Sequence, residues 1–441
     1  MAYEGFVHMK RTIGLALAAS LLSAGGLAGI QVPDSLTVEQ AIQRVIATHP
    51  AVVEAGNGVS ASEARVRERQ SAFTPVVTAE GSYARVGPVP SLTLNNEAFS
   101  LFPANNYDAH FSLYHTVYDW GRRQTAVEQA QTYRRSAAEN VDLVKSGLAY
   151  QTAQAFYAVL FLQQNLIVQD DEISTLGQHL QVIQDKVKAG TATDFDVLTT
   201  QVRIATARSQ RVDLANALDE RTIELRELLG LPADSMVEPV GAFEVDSTSL
   251  AVDSLVAAAL AQRPEVKLSR DAEASAKVQT QLAALADRPS LGLALSAGAK
   301  NGYVPKLNKF QPNFSAGMSI QLPIYNGDRT RSQVRVSEAE ESVARSRTQT
   351  LVRRVTTDVE KAVASVRASR EKIQTADLQV RQATQALDLA QTRYQAGVVT
   401  NLDVLDAETL LAQAKLVQLR ARYELVQGRY RLEQAVGDRI W

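Results

Sequence analysis

The chain has 441 residues, 45% of them hydrophobic, and its 46 basic and 48 acidic side chains leave a formal net charge of -2. That balance supplies no basic field for nucleic acid or for an anionic membrane surface, and the apolar fraction is too high for a disordered polymer. The absence of cysteine excludes disulfides, thiolate metal sites, cysteine nucleophiles and a lipid anchor through an N-terminal Cys.

Lys10 and Arg11, the apolar run Ile13 to Leu22 and the small residues Ser23 to Ala28 are the three parts of a secretory signal, so residues 1–28 are read as one, cleaved near Ala28. No later segment reaches the ~18 consecutive apolar residues a membrane-spanning helix needs. Insertion into a membrane must then use strands.

The remainder reads as two copies of one unit, residues 29–230 and 251–437, followed by a short end at 438–441. Residues 231–250 join them, a linker holding Pro232, Pro239 and Gly241 without helical periodicity. Ala189-Gly190-Thr191-Ala192-Thr193-Asp194-Phe195-Asp196-Val197-Leu198 is echoed 207 residues later by Ala396-Gly397-Val398-Val399-Thr400-Asn401-Leu402-Asp403-Val404-Leu405. The same offset maps Tyr118 onto Tyr325, with the glycine of the following turn shifted by one position.

Each copy predicts a helix, two strands and long helices. The strands fall at about 76–85 and 107–118, then 290–298 and 313–324. Leu291, Leu293, Leu295 and Ala297 alternate with Gly292, Ala294 and Ser296, while Phe314, Ala316, Met318 and Ile320 alternate with Ser315, Gly317 and Ser319. Val77, Ala79, Tyr83 and Tyr107, Ala109, Phe111, Leu113 repeat this in the first copy. Such strands suit either a lipid-facing barrel with a wet lumen or a periplasmic sheet with one buried face. A barrel needs about eight strands at least, so four per chain would demand oligomerisation. The segments Val86 to Asn106 and Asn301 to Gln311 hold Pro, Asn and Gly and are expected to be surface turns.

Beyond the strands, Val355, Val359, Ala362, Val366, Ser369, Ile373, Ala376, Leu387 and Tyr394 belong to a seam spaced by threes and fours, and Leu148, Thr152, Val159, Leu176, Ile183 and Val187 to its counterpart. A helix from Arg329 to Gln395 would be ~100 Å long at 1.5 Å per residue. Its many small and polar seam residues suit a sheet-like wall of helices, with a soluble periplasmic coiled-coil scaffold as the alternative. At the turns between helices, Thr193 with Asp196 and Thr400 with Asp403 have capping-box spacing. Asp406, whose counterpart is Thr199, has no such duty.

The sequence holds no G-x-S-x-G, H-E-x-x-H or P-loop pattern, and Gly56-Asn57-Gly58-Val59-Ser60-Ala61 lacks the preceding strand of a dinucleotide fingerprint. His110 and His115 stand five apart on one strand and face opposite ways. No enzyme activity, cofactor or metal is expected.

Leu322-Pro323-Ile324-Tyr325-Asn326-Gly327-Asp328-Arg329, the turn Tyr394-Gln395-Ala396-Gly397 and Asp403-Val404-Leu405-Asp406-Ala407, in this order inside two copies, make the chain resemble the TolC-type outer-membrane efflux proteins. The resemblance implies a mainly α fold with a small β part. Long antiparallel coiled-coil helices would form a periplasmic α-barrel, and four strands per chain would contribute to a trimeric β-barrel in the outer membrane. It implies a homotrimer that meets the lipid bilayer, a periplasmic adaptor and an inner-membrane pump, and it implies no nucleic acid. The turns Ala189, Gly190, Thr191 and Ala396, Gly397, Val398 would face the adaptor. Asp196, Asp403, Asp406 and Tyr394 would gate the tip and set its selectivity, with capping as the other reading of Asp196 and Asp403 and packing that of Tyr394. Relatives carry an Arg where this chain has Val398-Val399 and a small hydroxyl residue where it has Phe195. Those positions therefore lack the polar groups of the family's latch.

Overall fold

The computed structural model describes residues 35–94, 97–243 and 250–441. The expected signal segment lies outside them, as does part of the expected linker. The fold is mainly α with a small antiparallel β part. Helices α1 (Val38–Thr48) and α2 (Pro50–Ser71) lead into β1 (Val76–Arg85), a small hairpin of β2 (Ser91–Leu94) and β3 (Glu97–Ser100), and β4 (Asn105–Tyr118). Then come α3 (Arg122–Lys188) and α4 (Asp194–Leu228). The second run is α5 (Val252–Gln262), α6 (Pro264–Ala284), β5 (Ser290–Lys300), β6 (Gln311–Gln321), α7 (Arg329–Gln395) and α8 (Asn401–Val436).

Two differences from expectation have local causes. The segment after β1 is not a plain turn, because Ser91–Leu94 and Glu97–Ser100 are long enough to pair with each other. And β6 stops at Gln321 instead of continuing to 324, since Pro323 has no N–H to give to a ladder.

Helices α3 and α7 each run 67 residues, ~100 Å at 1.5 Å per residue. Neither is stable by propensity alone. Each is held by shorter helices lying along it, α2 and α4 on α3 and α6 and α8 on α7. Near mid-length, Phe156, Val159 and Ala149 of α3 are fully buried against Ile42 and Val45 of α1 and Leu225 and Leu229 at the end of α4. Val355, Val359 and Val363 of α7 do the same with Val266 of α6, Leu425 and Leu432. Seam residues Ser369, Ile373, Ala376, Leu387 and Tyr394 are buried as the spacing predicts.

The four long strands form one antiparallel sheet in the order β1-β4-β5-β6, so the central pairing joins the two runs. Register places Val77, Leu113, Leu295 and Ala316 in one row, and Ala79, Phe111, Ala297 and Phe314 in the next. Thr78, Ser112, Ser296 and Ser315 make a row on the opposite face, as do Glu80, His110, Gly298 and Asn313. Phe111 is 66% exposed, Ile320 77% and Phe314 84%. A sheet in water buries its apolar face, and this one presents that face outward while the polar face is the sheltered one.

The turns from sheet to long helix explain the shifted glycine. Trp120 and Gly121 take φ of 57° and 86°, and Gly327 and Asp328 take 65° and 58°. Both turns use two successive left-handed residues, and a glycine at either position relieves half of the strain.

Candidate functional site

The residues singled out from the sequence gather where α3 turns into α4 and α7 into α8, the end of the molecule farthest from the sheet. Both turns are built alike. The Gly190 N–H donates to the Val187 carbonyl (2.9 Å) and the Thr191 N–H to Lys186 (2.9 Å), while Gly397 donates to Tyr394 (3.1 Å) and Val398 to Arg393 (2.9 Å). These bonds satisfy carbonyls that the helix end would leave bare. The returning helices start at Thr193 and Thr400, each in a reciprocal capping box.

Asp196 and Asp403 are consumed by those boxes. An Oδ2 atom of Asp403 accepts from the Thr400 N–H (2.7 Å) and hydroxyl (2.6 Å), and Asp196 does so from Thr193 at 2.9 and 2.7 Å. The Thr400 hydroxyl and then its N–H hold the Asp403 carboxyl below the usual range, so it stays ionised. Asp406 differs. Among the described residues its exposed carboxylate pairs with Arg203 alone, Nη2 to Oδ1 at 3.5 Å, a surface pair of little energetic weight. It leaves a negative charge available at the turn.

Tyr394 is buried, 5.4 Å from the His179 ring and with Lys186 Nζ 4.0 Å from its own ring centroid. Lys186 also donates to the Tyr394 carbonyl at 2.6 Å, so α7 is tied to α3 by its last turn. Burial, with the Asp196 charge second, pushes the phenol up and keeps it neutral.

Sequence reasoning missed the hub of this site. Asn401, the first residue of α8, is buried, with Oδ1 2.8 Å from His179 Nε2 and Nδ2 3.4 Å from Thr200 Oγ1. His179 is pushed down chiefly by burial, so its ring is neutral and its tautomer can match Asn401. The signal in the sequence was the change from Asp194 to Asn401 at the first position after the capping threonine. Also missed was a stripe on α4, where Phe195, Leu198, Val202, Val212 and Ile223 are all more than half exposed at helical spacing.

His110 and His115 lie on opposite faces of the sheet, opposite Gly298 and Leu293. Among the described residues no three His, Asp or Glu side chains meet in a metal-holding group, and no helix is long and apolar enough to cross a membrane.

The sequence matches the family described as outer membrane efflux protein over residues 41–231 and 255–438. The chain belongs to that family. It is 25% identical over 336 residues to the pyoverdine export outer membrane protein OpmQ of Pseudomonas putida, covering 76% of this chain and 71% of that protein. It is 25% identical over 321 residues to outer membrane protein TolC of Vibrio cholerae, covering 71% and 72%. The solved structure of outer membrane protein VceC from Vibrio cholerae superposes with a TM-score of 0.77 at 19% identity, over 91% of this chain and 96% of that one. The outer-membrane channel OprN gives 0.79 at 17%, over 91% and 89%. This efflux protein therefore sits in the outer membrane through its strands and extends its helices into the periplasm, which sets aside the soluble scaffold. The helical turns are its periplasmic tip.

Proposed function

We propose that three copies of this efflux protein close one twelve-stranded barrel above a twelve-helix tunnel, through which cargo passed on by a periplasmic adaptor and an inner-membrane pump leaves the cell. The observation that carries the reading is the outward-facing apolar side of a four-stranded sheet whose outer edges, on β1 and β6, have no partner among the described residues. Strands in lipid must not end in an open edge, and four cannot close. The exposed apolar stripe on α4 supports the same assembly, because it offers a seam to a helix of the next copy.

In this reading the signal segment at 1–28 directs export. Two copies of the unit, 29–230 and 251–437, are joined by 231–250, and each supplies one membrane hairpin and one tip turn. Ala189, Gly190, Thr191, Ala396, Gly397 and Val398 meet the adaptor. Asp406 contributes one open carboxylate per chain to an acidic ring that favours cations. Asp403 and Asp196 shape the turns, and Tyr394 closes the hairpins upon each other. The chain carries out no catalytic step and holds no cofactor or metal. Relatives include a pyoverdine exporter and an alkaline protease secretion protein, which supports a tunnel that leaves cargo choice to its pump. Native mass spectrometry of the detergent-extracted protein is the test. Three copies per particle are expected, and a folded monomer that stays soluble without detergent would sink the proposal.

A further inference from the structure

Two turns into α8, Glu408 is 4% exposed, and among the described residues neither carboxylate oxygen has a hydrogen-bond partner. A buried carboxylate without a partner is costly enough that the site must either hold a proton or reorganise. Glu408 lines a small crevice between α3, α7 and α8, together with Glu172, Asp171, Leu387 and Lys415. Of the charged groups there, Lys415 is engaged by Asp171 in a close ion pair. Arg203 of α4 reaches Asp406 and acts on Glu172 only through its charge. Helix α7 brings Leu387 to the crevice, which is apolar. What faces Glu408 is therefore a second acid, Glu172, whose Oε2 accepts from the Gln169 amide at 2.7 Å.

The crevice lies in the seam between the α3–α4 hairpin and the α7–α8 hairpin. Between it and the tip the seam is packed by Leu176, Ile204, Ala207 and Leu405, and at the tip it is tied by Asn401, His179 and Lys186. A protonated carboxyl beside a second acid lets such a seam stay packed, and two carboxylates push it apart.

We infer that Glu408 and Glu172 form an acid pair in which Glu408 holds the proton, positioning groups that keep α8 against α3 while that proton is bound and favour an opened tip when it is lost. The inference rests on the tip being the gate of the proposed channel. Burial, with the Glu172 charge second, pushes the Glu408 carboxyl up to about 7, and burial also raises Glu172. An ordinary glutamate is ionised throughout the neutral range. This one exchanges its proton there, bound below about 7 and lost above it.

The absence of cysteine allows a specific label pair, Ser174→Cys on α3 and Leu410→Cys on α8, on the full-length oligomer. The distance between spin labels is measured from about pH 6 to about pH 8, in the otherwise native chain and with Glu408→Gln, while planar-bilayer conductance is followed over the same range. One proton released on opening shifts the open-to-closed ratio by up to about tenfold per pH unit. The label distance is expected to lengthen as pH rises, conductance to rise with it, and Glu408→Gln to hold both at their low-pH values. A label distance that does not change with pH, or that changes equally in Glu408→Gln, would overturn the pair. A distance step of the expected kind without any ionic current would leave the pair standing and count against the channel.

Discussion

Three glycines on the polar face of the membrane sheet should respond to alanine in very different degrees. A Cβ at Gly298 would lie 2.1 Å from the Ala109 carbonyl oxygen and 2.7 Å from His110 Cα, both of them backbone atoms on β4. Gly298 also leaves open the path by which His110 Nε2 crosses β5 to meet Asn313 Oδ1 at 2.9 Å. Relief requires β4 and β5 to part by about 1 Å at the central pairing of the sheet, at an overpacking cost of ~1–3 kcal/mol with further loss from weakened ladder bonds. A total of about 3 kcal/mol per chain follows, and it recurs in every copy of an oligomer. At Gly292 the nearest atoms are Ser319 Oγ at 3.1 Å and Tyr114 Oη at 3.3 Å, side-chain ends that can rotate away, so the cost is below about 1 kcal/mol. Gly317 has nothing within 4 Å and should be neutral to about 0.5 kcal/mol. The temperature at which the detergent-resistant oligomer falls to a monomer band on a gel should rank Gly317→Ala near wild type, Gly292→Ala slightly lower and Gly298→Ala well below both. If Gly298→Ala dissociates at the same temperature as Gly317→Ala, the close approach of β4 and β5 is not what holds the sheet in register.

Asp406→Asn should lower cation selectivity and divalent-cation block in planar bilayers without changing stability. Thr400→Ala should cost ~1 kcal/mol of helix capping and leave selectivity in place, so the two together separate charge from cap. Glu408→Gln should change the pH dependence of unfolding. With the carboxyl moved from 4.5 to about 7, folding gains about 3 kcal/mol per chain that is fully present below about 4.5 and lost as pH rises through 7. Denaturant midpoints should therefore fall from about pH 6 to about pH 8 in the native protein and fall less in the variant. Val202→Glu, placing a charge on the exposed stripe of α4, should weaken association of the copies while the isolated chain keeps its helical circular dichroism. An oligomer that survives this change intact would show that the stripe meets water.

Much of the fold is written in short-range periodicity. The seam from Val355 to Tyr394 predicts a helix from Arg329 to Gln395, and α7 spans those residues. Alternation along Leu291–Ala297 and Phe314–Ile320 gives strands because side chains on a strand change face at every residue. The capping boxes at Thr193 and Thr400 lie within four residues of sequence, so they too are readable without a structure. The signals that relate distant segments are of another kind. Alternation alone fits a lipid-facing strand and a core-facing one equally, and only the packed molecule determines that the apolar row of Phe111 and Phe314 faces outward. The β4–β5 pairing joins residues nearly two hundred positions apart, and a glycine that must be glycine, Gly298, looks in sequence like Gly317, which need not be.

The candidate site divides along the same line. Asp196, Asp403, Asp406 and Tyr394 stand at turns that the repeated motif marks. Asn401, His179 and Glu408 owe their character to burial between helices that the sequence does not bring together. Sequence by itself determined the elements, their faces and the turns, since each depends on neighbours within about one heptad. Tertiary structure decided which face meets lipid, which glycine is crowded and which carboxyl lacks a partner, because burial is a property of what arrives from elsewhere in the chain.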